Sequence, residues 1–185
     1  MKRILAFLLA AALIGCLALP VAAETTYTSG ETVKIGGMKF KVPEGLTAEE
    51  TDDGAIGVQT GENSGILVWA IDASGCKSDF MREYLLSAQQ PEPVKKLMEA
   101  ESEDLFDIEY QIQKNPVKFT AKSVSDGLML LVFGTFIHGD FSYTIIYNVS
   151  NFKLDSEGAL DRTAKASFDD DEMVLFENFL KSIKF

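Results

Sequence analysis

Apolar and polar residues alternate with a period of two along much of the chain. The alternation is clearest at 38–42, 106–112 and 117–121, whereas residues 128–137 are almost all apolar. A period of two is typical of a strand with one buried face, and a continuous apolar run is typical of a strand covered on both faces. Gly36-Gly37 and residues 61–65 have the composition of hairpin turns. The pattern therefore predicts a mainly antiparallel sheet.

Two adjacent strands predict their own register. Residues 106–112 and 117–121 flank Lys114-Asn115, which we interpret as the turn. A two-residue turn there places Asp107 opposite Lys122, with Glu109 diagonal to Lys118. Opposite charges facing each other across a hairpin are expected on its solvent side. We also expect a strand at 141–149, because this segment alternates again.

Spacing of three and four residues predicts helices at three places. Ser78 can cap the first helix, whose apolar residues share one face: Phe80, Met81, Tyr84 and Leu85. Residues 91–98 favour a second short helix. An acidic run opens the last helix, whose apolar residues are Met173, Phe176, Leu180 and Ile183. We expect an α+β fold in which helices pack on the faces of a mainly antiparallel sheet.

The first 23 residues are typical of a secretory signal peptide. Lys2 and Arg3 precede an apolar run at 4–19, and small residues follow it up to Ala23. This order predicts export and cleavage after Ala23. The predicted organisation is then a signal at 1–23, a polar lead-in at 24–31 and a single domain at 32–185.

Cys16 supports an alternative route of processing. Leu13-Ile14-Gly15-Cys16 is similar to a bacterial lipobox, in which the cysteine receives the lipid anchor. The apolar residues 17–21 that follow are unlike the usual polar tether, so we favour cleavage after Ala23. Both routes place the protein outside the cytoplasm.

Charge restricts the classes of partner. The chain has 17 basic and 28 acidic residues, and removal of Lys2 and Arg3 leaves 15 against 28, a net charge of −13. Nucleic acid and anionic lipid are poor partners for such a surface, because phosphates are bound by clustered Lys and Arg. We therefore expect membrane association only through the signal or a lipid anchor. The partner we expect is a protein or small ligand at the envelope.

Two residue groups have the composition of catalytic sites without their spacing. His138, Asp140 and Ser142 are the residue types of a hydrolase triad, yet they fall within five positions, as a hairpin turn would place them. Cys76 precedes the first helix, but no second histidine or cysteine supports nucleophilic or redox chemistry. We interpret the first group as a turn and Cys76 as a small packed side chain.

The acidic run is a weak candidate for a metal site. Asp169, Asp170, Asp171 and Glu172 supply the oxygens that Ca²⁺ prefers, but consecutive residues on a helix point in different directions. We interpret the run as a helix cap and predict no metal or other cofactor.

Aromatic residues are frequent in the predicted strands. We interpret them as core, with a ligand cavity as the alternative. The residues concerned are Trp69, Phe119, Phe133, Phe136, Phe141, Tyr143 and Tyr147.

Two terminal segments resemble the PsbP/Mog1-like superfamily. Residues 37–45 read Gly-Met-Lys-Phe-Lys-Val-Pro-Glu-Gly, similar to the G-x-x-F-x-x-P-x-G opening of small exported or lipid-anchored bacterial members. Residues 176–185 are similar to their closing pattern. The resemblance implies an antiparallel sheet between helical layers. It implies no single activity and transfers no functional residue.

The expected function is a non-catalytic binding or accessory role at the bacterial cell envelope. Catalytic motifs are missing from the sequence, so we lean against an enzyme. A carboxylate-dependent hydrolase remains an alternative, because carboxylates paired in space are invisible in a sequence. A small-ligand carrier with an aromatic-lined cavity is the other.

Overall fold

The computed structural model describes most of the chain beyond the predicted signal peptide. The described residues are 25–51, 54–90, 95, 99–125, 127–151 and 165–185. The predicted signal with Cys16, nearly all of the predicted helix at 91–98 and the segment 152–164 lie outside these residues.

Within the described residues the chain forms ten strands and two helices. The strands are β1 (Thr26–Tyr27), β2 (Thr32–Ile35), β3 (Met38–Lys41), β4 (Thr47–Glu50), β5 (Ile56–Gln59), β6 (Ser64–Asp72), β7 (Ser102–Ile112), β8 (Asn115–Val124), β9 (Met129–His138) and β10 (Phe141–Ser150). The helices are α1 (Asp79–Ala88) and α2 (Asp170–Ser182).

Eight of the strands form one sheet, and each pairs antiparallel with its neighbours in the order β1-β4-β5-β6-β10-β9-β8-β7. The β2–β3 hairpin is a separate two-stranded sheet, closed at Gly36 with a φ of 56°. The prediction of a mainly antiparallel α+β fold is therefore confirmed. The segment predicted as a polar lead-in contributes β1, and the sequence pattern did not indicate β4.

The β7–β8 hairpin corrects the predicted register. The turn consists of Gln113 and Lys114, one residue earlier than predicted, so Asp107 lies opposite Thr120 rather than Lys122. The true register differs from the predicted one by two residues, which leaves every side chain on its expected face. Gln113 has a φ of 57°, as the first position of a tight hairpin turn requires.

Strand β10 is the most deeply buried strand of the sheet. It lies between β6 and β9, and nine of its ten residues are buried, including Ser142 and Thr144. The predicted strand at 141–149 is confirmed, but its alternation does not correspond to an exposed face, because the polar residues are covered as well. The apolar run of β9, predicted as covered on both faces, is buried only in its first half, since Thr135 is exposed.

One face of the sheet carries the main core, to which α2 and the β2–β3 hairpin both contribute. Phe176 of α2 is fully buried and lies edge-on to Phe119 at 5.6 Å and stacked on Tyr147 at 5.1 Å between ring centroids. Lys39 of β3 and Lys184 exchange two backbone hydrogen bonds of 2.7 and 2.8 Å. These bonds join the small hairpin to the segment after α2.

The other face has smaller clusters. Trp69 is buried, as predicted, with Ala55 and Ile71, and Leu85 of α1 packs against them. Leu85 is thus the one residue of the predicted apolar face of α1 that reaches this cluster. Within the described residues, no helix is long and apolar enough to cross a membrane.

Candidate functional surfaces

The acidic run that opens α2 is a helix cap. The Asp169 carboxylate accepts a hydrogen bond from the Glu172 amide at 2.8 Å, and the Glu172 carboxylate accepts one from the Asp169 amide at 3.2 Å. This reciprocal pair is a capping box. Burial raises the pKa of the Glu172 carboxyl. The described part of the chain holds no cluster of three metal-ligating side chains, here or elsewhere.

His138, Asp140 and Ser142 lie around the β9–β10 turn and do not converge. His138 pairs with Phe141 across the hairpin, so Ser142 points to the opposite face of the sheet. The imidazole of His138 stacks on the ring of Phe185 at 3.7 Å between centroids. The geometry is that of a turn, as predicted.

The Ser142 hydroxyl is nevertheless unusual. It is buried, as is the Thr144 hydroxyl beside it on the same face, and neither has a hydrogen-bond partner among the described atoms. Both belong to β10 beneath the side of the sheet where α1 lies. Neither hydroxyl is hydrogen-bonded to an acidic or basic side chain of the described residues, so neither has the partner that would activate it as a nucleophile.

Cys76 is half-buried and lies in a turn, where its amide donates to the Ala73 carbonyl at 2.9 Å. The helix begins three residues later, at Asp79, and Ser78 is its N-cap. The thiol is therefore outside the first turn of α1, where a helix dipole would act on it most strongly.

The aromatic side chains of the long strands contact one another and α2. Phe136 stacks on Tyr143 at 5.2 Å, and Tyr110 lies edge-on to Phe119 at 5.6 Å. Burial raises the pKa of the Tyr147 hydroxyl. Phe119, Tyr143 and Tyr147 are buried, as predicted for core residues, whereas the other predicted core rings of β9 and β10 are half-buried: Phe133, Phe136 and Phe141.

An open groove of about 710 Å³ lies between α2 and the segment after β3. Lys41, Glu44, Asp171 and Asn178 line it together with apolar atoms of Pro43 and several neighbours. Its lining combines both charges with apolar surface, and it is broadly open to solvent. The groove brings two carboxylates, Glu44 and Asp171, to one depression.

Helix α1 presents an exposed apolar surface. The exposed fractions of Phe80, Met81 and Tyr84 are 77%, 48% and 69%. We call these three residues the α1 surface. Folded monomers rarely leave several large apolar side chains together in water, and such patches mark sites of interaction.

The α1 surface is held in place by the opposite side of the helix. The Arg82 guanidinium donates to the Gly139 carbonyl at 2.6 Å, and Leu85 packs against the Trp69 cluster. The Ser78 hydroxyl accepts from the Met81 amide at 3.3 Å and caps the first turn. The three exposed side chains therefore stand on an anchored helix.

Strand β7 is the second exposed feature. In the described chain, its single strand neighbour is β8, and no described backbone group bonds to its other side. Leu105 and Phe106 are 45% and 48% exposed, next to a register shift between Asp104 and Phe106. An exposed edge of 11 residues is long for a natural sheet.

Comparisons with known proteins do not assign a family. No protein-family model matches the chain. A search of curated proteins finds no significant match. The resemblance to the PsbP/Mog1-like superfamily therefore stays a prediction.

The helical pattern predicts one shared face for Phe80, Met81, Tyr84 and Leu85, whereas the structure exposes the first three and directs Leu85 to the cluster on the sheet. Neither the exposure of the α1 surface nor the edge position of β7 is visible in the sequence pattern. A helical pattern shows which residues share a face, whereas the side that meets the sheet depends on distant contacts. The five acidic residues in 101–109, without a basic residue, are the local signal that marks this strand as unlike the others.

Proposed function

We propose that this protein is an exported, non-catalytic binding or accessory domain of the bacterial cell envelope, which uses the α1 surface to engage a protein partner. We further propose a PsbP/Mog1-like arrangement with helices on the faces of the sheet. The burial of Phe176 against Phe119 and Tyr147 supports the placement of α2.

The exposure of Phe80, Met81 and Tyr84 carries this proposal. Two of the three side chains are aromatic, and aromatic residues are enriched at the centres of protein interfaces. Because Arg82 and Leu85 fix the helix from behind, a partner would meet these side chains in a prearranged position. Little conformational entropy would then be lost on binding.

A protein partner fits this surface better than a membrane. Lys77, Asp79 and Glu83 adjoin the apolar residues along the chain and carry both signs of charge. The predicted net charge of −13 opposes adsorption to an anionic bilayer. An apolar centre with a mixed polar rim is the usual composition of a protein–protein interface.

The described geometry gives less support to the two alternatives. A carrier requires an enclosed aromatic cavity, and the rings of β8, β9, β10 and α2 pack on one another instead. A carboxylate-dependent hydrolase requires two opposed carboxyl groups in a cleft. Glu44 and Asp171 share the groove beside α2, but that groove is open and also contains Lys41.

The proposal is tested by affinity capture from the envelope after chemical cross-linking. The bait is the protein purified after export, as wild type and as the double variant Phe80→Ser/Tyr84→Ser. Val174→Ser is the matched control, because Val174 is 53% exposed on α2. We expect one partner to be captured by the wild type and the control and lost from the double variant.

Unfolding midpoints of the three proteins should agree, since substitutions at exposed positions usually change stability by less than about 0.5 kcal/mol. Equal capture by all three proteins would refute a role for the α1 surface. Loss of capture in the Val174→Ser control as well would do the same.

A further inference from the structure

The outer edge of β7 is free along its full length within the described residues. A two-residue turn joins β7 to β8, and the residue pair that closes such a turn is hydrogen-bonded. Ile112 belongs to that pair, so its backbone groups face β8, and the residues of β7 alternate from there between facing β8 and facing away. The residues that alternate with Ile112, Tyr110 and Ile108 point their backbone groups away from β8. These residues are Asp107, Glu109 and Gln111.

Side chains divide the edge into an acidic and an apolar face. Asp104, Asp107 and Glu109 are exposed on the face that carries Lys118 and Lys122. Phe106, Ile108 and Tyr110 lie on the other face, beside α2. No residue of β7 is basic.

The pairing of β7 with β8 shows which kind of strand is complementary to this pattern of side chains. Strand β8 alternates Lys118, Thr120 and Lys122 with Val117, Phe119 and Ala121. Its lysines reach the acids of β7, with Lys118 Nζ 2.8 Å from Asp107 Oδ2 and Lys122 Nζ 3.1 Å from Asp104 Oδ1.

We propose that the free edge of β7 is a docking site for an extended basic segment of another protein, in which Lys or Arg alternates with apolar residues. The segment would add to the sheet as a further antiparallel or parallel strand, with backbone bonds to Asp107, Glu109 and Gln111. Its cations would meet Glu109 and the acids beside it. Its apolar side chains would extend the surface of Phe106, Ile108 and Tyr110.

Charge argues against a second copy of this chain as the occupant. Two β7 edges paired with each other would bring the acids of one copy close to the acids of the other, with no basic residue of β7 between them, and like charges across a strand pair are destabilising. The acids thus keep the edge from pairing with itself while they favour a cationic strand. This site is separate from the α1 surface, so either proposal can fail alone.

The probe is a synthetic peptide as long as β7 in which Lys alternates with Val and Phe, and its counterpart has Glu in place of every Lys. Calorimetry gives the affinity for the exported protein, and hydrogen exchange locates the contact. We expect the Lys peptide to bind more weakly as salt is added, to protect the amides of Asp107, Glu109 and Gln111, and to exceed the Glu peptide by about tenfold or more.

Glu109→Lys should weaken binding of the Lys peptide about tenfold, because Glu109 lies on the acidic face that would meet the cations of the peptide. Glu62→Lys is the matched control, an exposed acid in the turn before β6, and should leave the affinity unchanged.

Four results would overturn the proposal: no binding, equal binding of the two peptides, protection away from β7, or an equal loss in the Glu62→Lys control. Concentration-dependent dimers that protect β7 without peptide would identify a second copy of the chain as the occupant instead. The Phe80→Ser/Tyr84→Ser variant should bind the Lys peptide as the wild type does, which separates this test from that of the α1 surface.

Discussion

Lys118 reaches diagonally across the β7–β8 hairpin to Asp107, with 2.8 Å between Nζ and Oδ2, while the Thr120 hydroxyl directly opposite donates to Asp107 Oδ1 at 2.8 Å. Both carboxylate oxygens are therefore hydrogen-bonded on an exposed face. The hydrogen bond from Lys118, followed by that from Thr120, lowers the pKa of the Asp107 carboxyl below its ordinary value of 3.8.

The first prediction concerns the pH dependence of this pair. Because the folded pKa of Asp107 lies below the unfolded one, its contribution to stability is complete above the unfolded pKa and is lost as the pH falls through the folded pKa. The wild type should therefore be more stable than Asp107→Asn at neutral pH, with the difference vanishing in strong acid. Urea unfolding at a series of pH values measures it.

The Lys118→Met variant should raise the titration midpoint of the Asp107 carboxyl in a carbon-detected NMR titration. Lys114→Met removes the same charge from the exposed turn and is the control. If both variants left the midpoint unchanged, the contact between Lys118 and Asp107 would not lower the pKa of the Asp107 carboxyl in solution.

The second prediction concerns Phe176. Its ring is fully buried among Tyr110, Phe119 and Tyr147, so Phe176→Ala leaves a cavity at the junction of α2 with the sheet. We expect a loss of about 3–5 kcal/mol in the free energy of unfolding. Val174→Ala, on the exposed side of the same helix, should cost far less. An unchanged unfolding midpoint for Phe176→Ala would contradict the buried position of this ring.

The third prediction concerns Gly134 of β9, which lies opposite Phe119 of β8. A Cβ atom at Gly134 would stand 2.7 Å from two carbons of the buried Phe119 ring. Gly134→Ala should therefore destabilise the protein by about 1–3 kcal/mol through overpacking. Gly75→Ala is the control, since its Cβ would meet nothing within 4 Å.

Combination of Gly134→Ala with Phe119→Leu tests the cause of this loss. If the clash with the ring is responsible, the double variant should lose less stability than the sum of the two single variants. Simple additivity would show that the ring moves aside in Gly134→Ala.

The fourth prediction concerns processing. Export should yield a protein that begins at Glu24, because the small residues before it form the predicted cleavage site. Intact mass and amino-terminal sequencing measure this, and Cys16→Ala should yield the same mature mass. A mature protein that begins with a lipid-modified Cys16 would contradict the prediction.

Local patterns were sufficient to predict most of the long elements. The glycine turn at Gly36-Gly37, the alternation of β7 and β8, and the acidic cap of α2 each appear within a few neighbouring residues. The β4 segment Thr-Ala-Glu-Glu has one small inward residue, Ala48, and therefore no detectable period. A strand this short is specified by its pairing with β1 and β5, and this pairing is not visible in the four residues of β4 themselves.

The candidate surfaces depend on distant contacts, which a single sequence does not show. The outward position of Phe80 and Tyr84 follows from the bond of Arg82 to Gly139, 57 residues away. The edge position of β7 follows from the order of strands in the sheet. The position of the β7–β8 turn was predicted one residue too late, because Asn and Gly usually take the left-handed conformation in such turns. Here Gln113 takes it instead of Asn115.

The two hydrogen bonds between Lys39 and Lys184 have a consequence for the order of folding. They close a loop that contains nearly the whole described sheet, and closure of a large loop costs entropy before its contacts form. The β2–β3 hairpin can form from its own neighbours and meets β10 where the Gly37 amide donates to the Tyr143 hydroxyl, but the ring of Phe40 gains its contact with Phe179 only once α2 is in place. A chain that crosses a membrane amino end first would thus keep Phe40 without its contact to Phe179 until the last helix has crossed, and over that interval this ring would depend on other protection from water.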